Sequence, residues 1–144
     1  MRRAVSISLK IPDNTAYTAL VALRRLDVAV DRIERSDIWL MDDGGDIESL
    51  RKRVISDETV FNPNKHRLRL LDGLAPGDGA VWIASLVPGC GPAAVAWQLF
   101  DASGRAVGDD VLDAAIERLL CNPAIDRAIT KRDPSNRDIL GASE

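Results

Sequence analysis

The chain has 144 residues, of which 46% are hydrophobic and 28% charged, and these proportions are typical of a globular protein rather than a disordered one. The formal net charge of −3 argues against nucleic-acid binding, which requires a concentrated basic surface. No run approaches the roughly 18 apolar residues of a membrane span, and residues 1–14 turn polar too early for a signal peptide, so we expect a cytoplasmic protein that does not bind membranes.

The first half of the chain predicts alternating strands and helices. Apolar residues at every second position indicate a strand with one wet face, and aspartates before two amphipathic stretches are typical helix N-caps. The predicted elements are strand Val5–Ile11, helix Thr15–Leu26, a strand or strand pair over residues 28–41 with a turn or bulge at Glu34–Asp37, helix Ile47–Ser56 and strand Arg67–Leu71. The order β-α-β-β-α-β is the split βαβ, or ferredoxin-like, arrangement, an α+β fold with its helices on one face of an antiparallel sheet.

The second half follows a turn-rich boundary at Asp72–Gly79. We predict strand Ala80–Val87, a hairpin of Ala93–Phe100 and Arg105–Val107 around Asp101–Gly104, and helix Val111–Leu120. The pattern of Asn122–Thr130 fits either a helix or an edge strand. The predicted organisation is therefore a first unit over residues 1–72, a shortened second unit over 79–131 packed with it, and a flexible tail over 132–144.

Two short strings recur along the chain. Ala4, Val5, Ile7 and Pro12 are each repeated 76 residues later, and the Asn-Pro-x-x-x-Arg string at Asn62–Arg67 is repeated 60 residues later. The 16-residue difference between these offsets is about the size of the first helix with its connections. A duplication whose second copy lost that helix would explain both offsets, and chance similarity of short β-rich strings is the alternative.

Four stretches of the chain carry a resemblance to a known family: the first strand, the helix start Asp13–Leu23, the stretch Val30–Leu40 and the segment Arg118–Thr130. The first three, within about Val5–Leu71, resemble the PurS subunit of bacterial and archaeal formylglycinamidine ribonucleotide amidotransferase, and Arg118–Thr130 is similar to that family's closing segment. This resemblance implies a non-catalytic accessory subunit that bridges a synthetase and a glutaminase in purine biosynthesis. Acidic Glu34 and the pair Ser36–Asp37 stand where that family has Arg and Gly-Lys, so no functional residue is transferred.

The three tryptophans, Trp39, Trp82 and Trp97, all fall in predicted strands and are candidate interaction residues. Trp82 takes the place of Ser6 in the repeat, so it projects from the face that is polar in the first copy. An aromatic side chain there indicates burial against another sheet or subunit, or ordinary core packing within the chain.

The residues that could carry chemistry are few. Cys90, in a Gly-rich turn, and His66, the only histidine, could form a nucleophile pair, but Cys90 also fits as a small residue in a strand turn. Asp42, Asp43 and Asp46 lack the spacing of a calcium loop, and the two cysteines fit no zinc pattern. We therefore expect no metal, no cofactor and no catalytic residue.

Three functions remain open from the sequence. The first is the PurS-like accessory subunit, acting as a homo-oligomer or with larger enzyme subunits. The second is a ferredoxin-like dimer that holds a small ligand or regulator between sheet and helices. The third, an enzyme built on Cys90 and His66, has the least support.

Overall fold

A computed structural model describes residues 2–87, 89, 91–133 and 140 as an α+β protein built on one antiparallel sheet. The strands are β1 (Arg2–Leu9), β2 (Arg32–Asp42), β3 (His66–Leu70), β4 (Ala80–Ser85), β5 (Ala94–Phe100) and β6 (Asp126–Thr130). The helices are α1 (Asn14–Arg25), α2 (Ile47–Ser56) and α3 (Asp109–Ala115), the last continuing as a π-helical turn, Ile116–Leu120. The six strands lie in the order β3-β1-β2-β5-β4-β6.

Strand β2 joins the two halves of this sheet. Its C-terminal part pairs with β1 from Asp42 to Asp37, and its N-terminal part pairs with β5 from Arg32 to Ile38. The turn or bulge predicted at Glu34–Asp37 is wrong, because these residues lie inside the continuous strand. The first half therefore has the order β-α-β-α-β, and the one long strand β2 pairs with both β1 and β5.

Aspartate caps start the first two helices, as the sequence predicts. The Asp13 side chain accepts a hydrogen bond from the backbone N–H of Ala16, and the Asp46 side chain accepts one from Glu48. Such a cap satisfies one of the free N–H groups in the first turn of a helix. The bounds of α2 agree with the prediction, and those of α1 differ from it by one residue at each end.

The helices cover one face of the sheet, which we call the helical face. It carries the odd-numbered side chains of β1, β2, β4 and β5, including Val5, Ile33, Val81 and Leu99, which pack in two clusters with residues of α1, α2 and α3. Helix α1 belongs to the first half in sequence, but Ala16, Ala19 and Leu23 pack in one cluster with residues of β4 and β5. The two halves therefore share a core.

The opposite face of the sheet, which we call the open face, carries even-numbered side chains such as Ser6 and Trp82. Its buried cluster contains no residue of α1, α2 or α3. The connection from β3 to β4, residues 71–79, runs along this face from one side of the sheet toward the other. We call it the strap. Leu71 and Leu74 pack on the apolar part of the open face.

Two segments of the second half differ in detail from the prediction. Residues 122–125 form a turn and the rest of Asn122–Thr130 is strand β6, so the strand alternative is right for Asp126–Thr130. The predicted strand Arg105–Val107 is reduced to a single bridge between Ala106 and Phe100, although the Asp101 carboxylate does organise the turn by accepting from Ser103 and Arg105. Of the predicted tail, Leu140 is buried against the open face, where its carbonyl accepts a hydrogen bond from Arg2.

The two halves repeat one pairing register. The corresponding pairs are Val5 with Trp39 and Val81 with Trp97, and then Val5 with Leu70 and Val81 with Thr130. The 76-residue and 60-residue offsets of the sequence strings are therefore also the offsets of β4 from β1 and of β6 from β3, and β5 follows β2 at an offset of 58 residues, from Trp39 to Trp97. The described residues between β4 and β5 contain no helix, where the first half has α1.

The turns that precede β3 and β6 also repeat, bond for bond. The equivalent backbone hydrogen bonds are His66 to Asn62 and Asp126 to Asn122 (both 2.8 Å), Lys65 to Asn62 and Ile125 to Asn122 (both 3.0 Å), and Lys10 to Lys65 and Leu86 to Ile125 (both 2.7 Å). In each turn the Asn side chain accepts from the N–H two residues later. The same local sequence thus makes the same turn in both halves.

No helix in the described ranges is long and apolar enough to cross a bilayer.

Replacing Leu23 tests the core that α1 shares with the second half. Leu23 is fully buried, so Leu23→Ala should lower the free energy of unfolding by about 2–5 kcal/mol through lost burial and a residual cavity. Leu26, at the end of the same helix, is 40% exposed, and Leu26→Ala should cost less than about 1 kcal/mol. Urea unfolding followed by circular dichroism measures both, and equal losses would contradict this packing.

Candidate functional site

A groove of about 820 Å³ runs along the open face of the sheet and, where β1 and β2 separate, reaches the N-terminal half of α1, whose Ala16, Tyr17 and Leu20 also line it. The strap forms one wall through residues such as Gly73, Pro76 and Gly77. The floor comes from β1, β2, β5 and β4, and the lining includes Ser6, Ser8, Ser36, Ile38, Ala96, Gln98, Trp82 and, from β3, Arg67 and Arg69. The volume falls within the roughly 300–1,000 Å³ common for small-molecule sites.

The β3 side of the groove is polar and basic. Arg69 lies directly opposite Ser6 across the β1–β3 ladder, and Arg67 lies opposite Ser8. Cross-strand partners on one face have Cβ atoms about 4.5–5.5 Å apart, so each arginine side chain begins next to a serine and can reach a ligand that the hydroxyl also contacts. Both arginine residues are exposed, and neither side chain has a hydrogen bond or ion pair with any residue in the described part of the chain.

The equivalent positions of the second half are apolar or already satisfied. By the repeated register, Trp82 and Ala84 correspond to Ser6 and Ser8, and Ile129 corresponds to Arg69. Trp82 is 3% exposed and packs in one cluster with Ile129, Leu140 and the strap residue Leu74. The chain itself therefore covers the open face around Trp82 and Ile129, in a cluster that also includes Ala4 and Ile38 of the first half, and leaves the part around Ser6 and Arg69 accessible.

Arg127 is the counterpart of Arg67, and its surroundings differ. Its Nη1 donates to the carbonyls of Pro123 at 2.7 Å and Asp126 at 2.8 Å. Arg67 follows the same Asn-Pro turn but makes no such bond. A guanidinium has five N–H donors, so those of Arg67 remain available for a ligand or for water.

The far side of the groove satisfies its own charges. The Arg32 guanidinium lies 3.9 Å over the centre of the Phe100 ring and is 2.6 Å from a Glu34 carboxylate oxygen. Gln98 donates from Nε2 to the Asp78 carbonyl at 2.9 Å, which leaves its own carbonyl oxygen as an acceptor. This side therefore adds a neutral, hydrogen-bonding surface to the basic side at β3.

Strands β1 and β2 separate at one end of the groove. Their pairing stops at Ile7–Asp37 although β1 continues to Leu9, and Asp13 and Arg35 line the groove beyond that point. The Arg35 Nε lies 3.0 Å from an Asp13 carboxylate oxygen, and Asp13 also caps α1. This ion pair ties the start of α1 to β2.

Asp37 lies on the helical face at the point where β1 and β2 separate. Burial raises the pKa of its carboxyl above the ordinary 3.8, which the nearby positive charge of Arg35 and the position of His66 partly oppose. A carboxylate that is partly removed from water without a hydrogen-bonding donor is a cost to the folded state.

The candidate tryptophans all pack within the chain. Trp39 packs against the α2 cluster and Trp97 against the α1–α3 cluster, both on the helical face and partly buried. Trp82 is buried on the open face, which agrees with core packing within the chain rather than with an exposed interaction residue. A role for Trp39 and Trp97 in an interaction stays a prediction.

The structure gives His66 a local role and does not test its pairing with Cys90. Its Nδ1 accepts a hydrogen bond from the Asn62 N–H at 2.9 Å, and its ring centre is 6.0 Å from that of Phe61. Cys90 lies outside the described residues. Asp42 and Asp43 accept hydrogen bonds from Gly44 and Gly45, as turn residues do, and the described residues contain no cluster of three metal-ligating side chains.

The alternating pattern of the first strand predicts that Ser6 and Ser8 lie on a wet face, but nothing in the sequence singles them out as site residues. Nothing in the sequence singles out Arg67 and Arg69 either. The sequence does contain two matching patterns, Ser-x-Ser in one strand and Arg-x-Arg in another. These residues form a site only because the strand register places the two patterns opposite each other.

Comparison with known proteins yields no match for this chain among protein-family models, curated proteins or solved structures.

Replacing Asp37 tests the cost of its charge. The folded state binds the Asp37 proton more tightly than the unfolded state, because the pKa of Asp37 is raised on folding. The contribution of this group to the free energy of unfolding therefore rises as the pH falls through the raised pKa. Asp37→Asn should therefore be more stable than the wild type at pH 7, and the difference should shrink toward pH 4. Thermal unfolding at both pH values measures this. Glu58→Gln, at an exposed site, is the control, and a destabilised Asp37→Asn at pH 7 would contradict the account.

Proposed function

We propose that this chain is a binding protein without a catalytic centre, and that a small molecule binds in the groove on its open face. The observation that carries the proposal is the unequal cover of that face. The chain buries Trp82 and Ile129 in one cluster but leaves open a concave surface that the hydroxyls of Ser6, Ser8 and Ser36 line. A floor of side chains on strands holds its shape better than a loop would, and this favours a pre-formed site.

This site differs in position from the one expected for a ferredoxin-like ligand-binding dimer. That expectation puts the ligand between sheet and helices, where Leu23, Leu50 and Leu99 are fully buried, and the groove reaches that side at the N-terminal half of α1. The groove on the opposite face combines apolar floor residues with a few polar groups. This combination is the usual composition of a small-molecule site.

We propose further that the fold arose by duplication of a split βαβ unit whose second copy lost its first helix. The repeated register and the repeated Asn-Pro turns support this history. Strand β2 also supports it, because one end pairs with β1 and the other end with β5. A ferredoxin-like unit would use two separate strands for these two pairings. Divergence between the copies would then have opened a groove over only one of them.

Filling the groove tests the binding function. Ser6→Trp copies the residue that the second half carries at the equivalent position, and it should abolish binding because the indole occupies the floor of the groove. The measurement is the shift in unfolding temperature across a panel of soluble metabolites, each tested with the wild type and the variant. Ser103→Trp, in an exposed turn away from the groove, is the matched control.

The expected result is a compound that stabilises the wild type and the Ser103→Trp protein but not Ser6→Trp. If circular dichroism shows Ser6→Trp to be unfolded, Ser36→Leu provides a second obstruction of the same floor. A compound that stabilises all of these proteins equally would overturn the proposal, and so would the absence of any stabilising compound in a panel that includes anionic, neutral and cationic metabolites.

A PurS-like accessory role is the second candidate. The observation in its favour is the intrachain pairing of two similar halves through β2 and β5, since a doubled PurS-like region also occurs in the large single-chain amidotransferases that the sequence resemblance implies. Mixing the protein with purified synthetase and glutaminase subunits, followed by light scattering, tests it. A stable complex that includes this chain supports the role, and elution of every component alone contradicts it.

A further inference from the structure

We propose that the groove selects an oxyanion, a phosphate or carboxylate group of its ligand, and that Arg67 and Arg69 bind that group together with the hydroxyls of Ser6 and Ser8. This inference rests on the proposed binding function and specifies the chemistry of the same site.

Strand geometry brings the four side chains to one face. Residues two apart on a strand project on the same side, so Arg67 and Arg69 stand side by side on β3, as Ser6 and Ser8 do on β1. The register pairs each arginine with one serine. Two guanidinium forks beside two hydroxyl donors form a set that can donate to several oxygens of one anion, and bidentate contacts suit both phosphate and carboxylate.

The charges of the groove leave these two arginines uncompensated. Arg35 is paired with Asp13, and Arg32 is paired with Glu34. Asp72 of the strap approaches Arg3 at 3.8 Å rather than either β3 arginine. On a chain whose net charge is −3, the groove therefore holds two positive charges that the described residues do not neutralise.

The comparison between the two halves supports a role in binding rather than in folding. Arg127, the counterpart of Arg67, closes its own turn by donating to Pro123 and Asp126. Arg67 leaves the equivalent donors free, although both residues follow the same Asn-Pro turn. Arg69 replaces an apolar counterpart, Ile129, which is fully buried.

The size of the site indicates the form of the ligand. Arg67 on β3 and Gln98 on β5 are three strand spacings apart, roughly 14 Å at about 4.8 Å per spacing. A molecule with an anionic end at Arg67 and Arg69 and an uncharged, hydrogen-bonding body directed toward Gln98 fits this span. The basic side of the groove indicates the anionic group of the ligand. The far side, where the charges are already paired, indicates its uncharged body.

The experiment is isothermal titration calorimetry of the full chain with two probes, inorganic phosphate and succinate, each at constant ionic strength. The variants are Arg67→Gln/Arg69→Gln and the control Arg25→Gln/Lys52→Gln, which removes the same two charges from exposed positions on α1 and α2. We expect saturable binding of at least one probe, weakened tenfold or more in the β3 variant and changed less than twofold in the control. The probe that binds more tightly distinguishes a phosphate ligand from a carboxylate ligand.

Two outcomes would overturn the inference. One is equal weakening in both double variants, which would mean general attraction between charges. The other is the absence of saturable binding for both probes at concentrations up to tens of millimolar. Neither outcome removes the proposed groove function, because a neutral compound whose stabilising effect is lost in Ser6→Trp and kept in Arg67→Gln/Arg69→Gln would support the groove while rejecting the anion site. Loss of stability in the β3 variant, measured by its unfolding temperature, would separately reveal a structural role.

Discussion

The whole sheet depends on one strand that forms hydrogen bonds with different neighbours along its two ends. Only Asp37 and Ile38 of β2 have partners on both sides, Asp37 between Ile7 and Val95 and Ile38 between Ser6 and Ala94. A shift of β2 by one residue would exchange its two faces and expose Ile33 and Trp39 while burying Glu34. The register of β2 therefore fixes which side chains meet the helices and which line the groove.

The difference between the two halves on the open face then determines where the proposed site lies. On the helical face both halves bury aliphatic residues at equivalent positions, such as Val5 and Val81, because helices cover both. On the open face the second half has Trp82 and Ile129, and the first half has Ser6 and Arg69. The strap and Leu140 cover the apolar part of this face, which includes Ala4 and Ile38 of the first half and where burial is favourable, and the polar part around Ser6 and Arg69 stays accessible to solvent and to a ligand.

The sequence predicts local features well and long-range pairing poorly. Asp13 and Asp46 mark helix starts because a cap depends only on its neighbours within a few residues. Glu34–Asp37 misleads, because four polar residues in a row favour a turn locally, yet pairing with β5 and the Asp13–Arg35 ion pair hold them in a strand. The groove residues could not be identified from the sequence, since Ser6 and Arg69 meet only through a pairing of strands about 60 residues apart. Trp82 is recognisable in the sequence as an aromatic residue in a strand, but its position in the covered part of the open face follows only from the structure.

The most direct test of the account is to find which face of the sheet responds to a ligand. Two-dimensional NMR of the isotope-labelled protein, titrated with the compound that stabilises it most, resolves alternate residues of the same strand. The account predicts that the largest shift changes fall at Ser6, Ser8 and Ser36 and at the side-chain Nε–H groups of Arg67 and Arg69, with small changes at their neighbours Val5 and Ile7. Changes concentrated on α1, α2 and the helical face would contradict it.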